Sequence, residues 1–312
     1  MKQALRAAAF GLVAGMPLGA QAQIGMSQGL CAESVSKIAG ALRPQSPGLA
    51  GAFAGRVGEV KLAAGGWCVL QRVEAETDAG HLSIGTLKWK AGGFDRVLYE
   101  NLPPERADLA LEDARLTASG GRSLSQRLSG GKAVEVSFDA SVSYRWTSWN
   151  KQAEVKLAVT TEAGEEVTLS AQVGGVDLDA PGTLEGRGAA WRIRKADALV
   201  QGRGNIGPLM IAALMADGQS RDEAEERLED TGFWISAAAR IMPSAMLDSR
   251  SSAALISALS GWPNMRGVTK LRLDSAKGIG PAEVRLLEGA GPKLSSLSEV
   301  LEGLKLTVSH AP

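Results

Sequence analysis

The run Val134-Glu135-Val136-Ser137-Phe138-Asp139-Ala140-Ser141-Val142-Ser143-Tyr144-Arg145-Trp146 alternates apolar and polar side chains without a break. A period of two is that of a β-strand, so Val134, Val136, Phe138, Ala140, Val142, Tyr144 and Trp146 share one face. Ser137, Asp139, Ser141, Ser143 and Arg145 share the other. At about 3.3 Å per residue the run extends about 40 Å, well past the usual strand, and predicts an elongated sheet. Ala153, Val155, Leu157 and Val159 repeat the pattern. After the Glu162-Ala163-Gly164-Glu165 turn, Val167, Leu169, Ala171 and Val173 repeat it again. Turns this short leave no room for parallel crossovers, so the segments form an antiparallel meander with one apolar face.

Working outward, strands are expected at 66–76, 81–90 and 108–119 upstream and at 191–201 downstream. Beyond Gly207 the period changes. Pro208 suits a first helical position, with Leu209, Met210, Ala213 and Leu214 on one face. Ser220-Arg221-Asp222-Glu223 is a capping box, and Glu223 with Arg227 is a favourable pair one turn apart, which together start a helix near Arg221 that Gly232 would end. A third helix is expected over 248–259, closed by Gly261 and Pro263, followed by a strand at 268–274, a short helix after Pro281 and a last strand at 304–308. The fold class is therefore α+β: an elongated, twisted antiparallel sheet with a helical segment packed on it in the C-terminal half. One domain over 23–312 is expected, strand-rich at 66–203 and helix-rich at 207–261.

The composition agrees with a packed chain. Hydrophobic residues make up 45% and charged residues 22% of the 312, and 38 glycines signal many turns and bulges. Thirty-four basic and 34 acidic residues cancel, which argues against a broad electrostatic nucleic-acid surface. Seven Trp, two Tyr and five Phe are too sparse for the aromatic girdles of an outer-membrane barrel. Lys2 and Arg6, the apolar run from Ala7 to Met16 and the small-residue signal Ala20-Gln21-Ala22 read as a secretory leader, cleaved after Ala22, with no transmembrane segment left behind. Leu30 before Cys31 departs from a lipoprotein site. Export to the periplasm or medium predicts a disulfide between the two cysteines, Cys31 and Cys68. Val35, Ile38, Ala39 and Leu42 put Cys31 on the apolar face of a helix, and Cys68 begins a strand.

Short motifs that suggest enzymes lack their structural context. Gly202-Arg203-Gly204-Asn205-Ile206-Gly207 matches a dinucleotide-binding turn, but the strands before it look antiparallel rather than βαβ. Gly25-Met26-Ser27-Gln28-Gly29 spells a nucleophile elbow without the preceding strand. Ser34-Val35-Ser36-Lys37 fits the SxxK of serine β-lactamases, with Tyr99-Glu100-Asn101 as a possible second motif, yet no KTG follows. Asp177-Leu178-Asp179 opens like a calcium loop, but Pro181 and Gly188 occupy ligand positions. His81 and His310 are expected at the surface, and Arg187, Arg192, Arg194 and Lys195 read as a solvated basic run. No catalytic residues, cofactor or metal are assigned.

Function then turns on the apolar face. Val136, Phe138, Val142, Tyr144 and Trp146 are the candidate ligand-contacting residues of an exported, non-enzymatic binding protein that takes a lipid, another apolar ligand or an envelope protein. The alternatives are an envelope assembly factor whose face is fully covered, and a hydrolase using Ser34 and Lys37.

Overall fold

The computed structural model describes residues 26–42, 56–77, 80–100, 102–118, 133–180, 189–216, 219–283 and 303–312. The expected leader, most of the loop after the first helix and the remainder of the segment after Pro281 lie outside the described residues. Among the described residues ten strands follow one another in a single antiparallel sheet, each paired with its neighbours in sequence. They are β1 (Lys61–Ala63), β2 (Trp67–Thr77), β3 (Gly80–Gly92), β4 (Arg106–Ala118), β5 (Val134–Thr147), β6 (Gln152–Thr161), β7 (Glu166–Gly174), β8 (Arg192–Arg203), β9 (Arg266–Ile279) and β10 (Leu304–Ala311). The long alternating run is β5, at the middle of the meander. The fold is α+β, a twisted antiparallel meander with helices packed on it.

Register follows from keeping the apolar parity in phase across every turn. Leu62, Cys68, Trp89, Leu109, Val142, Leu157, Leu169, Ala198, Leu271 and Val308 are successive cross-strand partners, so one apolar row crosses all ten strands. With neighbouring strands about 4.8 Å apart, the row is about 43 Å long. The opposite face carries cross-strand and same-strand ion pairs, such as Lys90 with Asp108 at 3.6 Å and Arg272 with Asp274 at 2.9 Å, and faces water. Arg72 in β2 and Asp113 in β4 adopt left-handed backbone conformations, where the β4–β5 register also shifts. At Asp113 β4 takes up an extra residue relative to β5, as a bulge does, whereas the β2–β3 register is the same on both sides of Arg72.

Among the described residues these helices accompany the sheet: α1 (Gln28–Leu42), α2 (Phe94–Tyr99), α3 (Ile206–Ala216), α4 (Arg221–Ile241) and α5 (Ser249–Leu259). In α1, Cys31 and Val35 are fully buried and pack with Val60, Leu70, Val73, Ile84, Trp89, Phe94 and Val97. The Cys31–Cys68 disulfide, with Cα atoms 5.4 Å apart, joins α1 to β2 inside this cluster. α3 and the start of α4 cover Ala118, Val134 and Val136 through Ala212, Leu214, Met215, Ala224 and Leu228. α5 covers β9 and β10, and its Leu255, together with Leu247 just before the helix, packs against Val308, Leu271 and Leu306.

Several boundaries differ from the sequence reading. α4 does not stop at Gly232 but continues to Ile241. Trp262 lies across the helix there: its indole N–H donates to the Leu228 carbonyl at 2.6 Å, and a Cβ on Gly232 would sit 2.4 Å from its ring. The glycine makes room for a ring rather than ending the helix. α3 starts at Ile206, which puts Pro208 third in the helix, still in the first turn where its missing N–H costs nothing. β9 has 14 residues, extending both ways beyond the expected 268–274. The sequence reading assigned neither the short β1 nor α2.

Candidate functional site

Coverage of the apolar row varies along its length. Leu62, at the β1 edge, is exposed; next to it Cys68 and Trp89 lie under α1 and α2, and at the other end Val308 lies under α5. Leu109, Val142, Leu157, Ala198 and Leu271 are half-buried, and Leu169 retains 40% exposure. The clusters that seat helices on the sheet stop short of Leu157, Leu169 and Ala198. The parallel rows behave alike: Ala140, Val159, Val167 and Val200 on one side, and Val155, Ala171 and Ala196 on the other, are also half-buried. The open floor runs from β5 to β8, about 14 Å at the usual strand spacing, since Leu109 in β4 already packs against the cluster under α1 and α2.

Two covers limit this floor along the strands. At one end α3 runs from the end of β8 toward β4 and β5, and the corner is set by Glu165. That side chain is buried, and its carboxylate accepts the backbone N–H groups of Arg203 at 2.7 Å and Asn205 at 2.6 Å. At the other end, the segment after β7 folds back over the sheet, and Leu178 and Val176 pack on Tyr144, Trp146 and Ala153. The Trp146 indole N–H donates to the Val176 carbonyl at 2.7 Å, and the Tyr144 hydroxyl to the Pro104 carbonyl at 2.5 Å. Burial pushes the Tyr144 hydroxyl pKa far up, so it stays a neutral donor. The Arg96 guanidinium lies 4.9 Å from the Trp146 ring centre and is ion-paired with Asp179 and Glu105.

The five sequence candidates therefore separate. Val136 is buried under α3, and Tyr144 and Trp146 are buried beneath the Val176 to Leu178 fold-back. Phe138 is half-buried at the edge of the α3 cluster. Val142 alone lies on the open floor, beside Leu157, Leu169 and Ala198, which were not singled out. Their alternation was visible, but which part of the face the helices would leave bare is a tertiary property.

The enzyme-like motifs have structural roles. Ser34 is fully buried; its hydroxyl donates to the Cys31 carbonyl at 2.7 Å and accepts the Trp89 indole N–H at 2.8 Å, leaving no nucleophile facing solvent. Ser27 accepts the Leu30 N–H at 3.2 Å, as a helix N-cap does. The glycine-rich turn follows a strand and precedes α3, yet the N–H groups of Arg203 and Asn205 already hold Glu165. Asp177 pairs with Lys151, which holds its carboxyl below the usual range, and Asp179 with Arg96, while Leu178 between them is core. His81 bridges Glu76 at 2.9 Å and Glu74 at 2.8 Å, and His310 meets the Thr269 hydroxyl at 3.0 Å. Arg192 pairs with Glu283 at 3.0 Å, and Arg187 lies outside the described residues. Among the described residues no group of His, Cys, Asp and Glu is placed to hold a metal ion, and no helix is long and apolar enough to cross a membrane. No family model, curated protein or solved structure matches the chain.

Proposed function

We propose that the protein is an exported, periplasmic, non-enzymatic binding protein that holds a lipid or similar apolar ligand on the open floor of its sheet. The observation that carries this reading is the exposure of Leu169 between buried parts of the row, Cys68 and Trp89 on one side and Val308 on the other; Leu62, at the β1 edge of the sheet, is exposed to the same extent. An apolar strip bounded by packed walls suits a flexible apolar ligand better than water. The disulfide supports an oxidising compartment, as do the leader-like first 22 residues. Native mass spectrometry of the protein recovered from the periplasm tests the reading. A co-purifying mass that chloroform extraction removes is the expected result. A bare mass, together with no uptake of a fluorescent fatty-acid probe, overturns it in favour of a covered assembly factor.

A further inference from the structure

The back of α4 carries a second apolar surface, independent of the sheet floor. Ala224, Leu228, Gly232 and Ala239 are the buried side of this helix. At 3.6 residues per turn, Phe233, Trp234, Ala237 and Ile241 fall on the opposite side. Phe233 is 67% exposed, Trp234 50% and Ile241 57%, and the two rings meet edge to face with centroids 5.4 Å apart. From the areas such side chains present, the patch is about 400 Å², within the range that marks interaction sites.

We propose that this face docks on a zwitterionic lipid surface. The patch is the convex back of a helix, and it offers about half of the roughly 800 Å² per partner that a stable protein interface buries. A second copy is therefore poorly held by it, whereas a bilayer interface conforms to a ridge and favours Trp and Phe at headgroup depth. The charges select the kind of surface. Glu226 and Asp230 occupy the same side of α4, two turns and one turn before the aromatic pair, while Arg227 lies two turns before Trp234 and Arg240 two turns after Phe233; all four are exposed and their side chains have no partner among the described residues. The two carboxylates match headgroup ammonium, while Arg227 and Arg240 match headgroup phosphate, a balanced set that suits a zwitterionic surface. A helix built for anionic lipid would instead carry a clear excess of Lys and Arg along this side.

The test is co-sedimentation of the full exported protein with vesicles of phosphatidylethanolamine and phosphatidylcholine, against vesicles of phosphatidylcholine and phosphatidylglycerol. The first set should bind the protein better. Phe233→Ser combined with Trp234→Ser should reduce the bound fraction roughly tenfold or more, because two large apolar side chains no longer leave water. Both positions are exposed, so the melting temperature and fatty-acid probe uptake should be unchanged, which separates this inference from the reading of the sheet floor. Asp230→Lys should shift the preference toward the anionic vesicles. Lack of binding to the zwitterionic vesicles, stronger binding of the wild type to the anionic ones, or a dimer that the double substitution abolishes would each overturn the proposal.

Discussion

Glu165 holds the corner where β8 turns into α3. Its carboxylate takes the two backbone N–H groups that the glycine-rich turn would otherwise present to an anion. Replacing it by Ala leaves two part-buried donors without their acceptor, and each such loss costs up to about 1 to 3 kcal/mol. Glu165→Ala is therefore expected to destabilise by about 3 kcal/mol in urea unfolding, and Glu165→Gln by less, since the amide oxygen can still accept. Equal losses for the two substitutions would show that the corner does not depend on these bonds. His81 gives a pH dependence of known sign. The hydrogen bond to Glu76 raises its pKa most, with Glu74 adding to it, because both partners favour the imidazolium. A raised folded pKa means that the stabilisation is complete below the unfolded value of about 6.5 and fades as the pH rises through the folded value. The gap in melting temperature between wild type and His81→Gln should be widest at acid pH and close above neutrality; a gap that does not change with pH sinks the assignment.

At the scale of elements, the strands were legible and the length of α4 was not. Period-two alternation located β5, β6 and β7 directly, because apolar and polar side chains alternate along each of them. The capping box that starts α4 is also local, and it forms as read, with Ser220 and Glu223 bonded reciprocally. Gly232 misled because its meaning depends on Trp262, thirty positions further on. The same contact fixes the sign of a substitution. Gly→Ala inside a helix normally gains about 1 kcal/mol, but a methyl group 2.4 Å from the Trp262 ring overpacks the site at about 1 to 3 kcal/mol. Gly232→Ala should therefore lower the melting temperature, and a rise would mean that Trp262 moves freely. The disulfide closes a 37-residue separation between α1 and β2, worth about 4 kcal/mol by loop entropy. Both cysteines are fully buried. Mild reductant should leave the native protein oxidised and act only once denaturant opens the cluster around Cys31; rapid reduction in native buffer would contradict this packing.

Across the whole molecule, the sheet presents one apolar face while its helices reach only part of it. Parity along the strands made the face legible, and with it Val142; the placement of the covers was not, because it depends on where α3, α5 and the Val176 to Leu178 fold-back come to rest. The covered and open parts answer differently to substitution. Trp146 is buried, hydrogen-bonded to Val176 and faced by Arg96, so Trp146→Ala should cost about 3 to 5 kcal/mol and reduce probe uptake only by unfolding the protein. Leu169 already keeps 40% of its surface in water, so Leu169→Ser removes little packing from the empty protein. If the floor holds an apolar ligand, Leu169→Ser should weaken fatty-acid probe uptake by roughly tenfold while leaving the melting temperature within a few degrees of wild type. Val142→Ser, at a half-buried position in the same row, should lose uptake and some stability together. Uptake that survives Leu169→Ser and Val142→Ser but falls in proportion to stability across all three variants would place the ligand elsewhere and make the apolar row core alone.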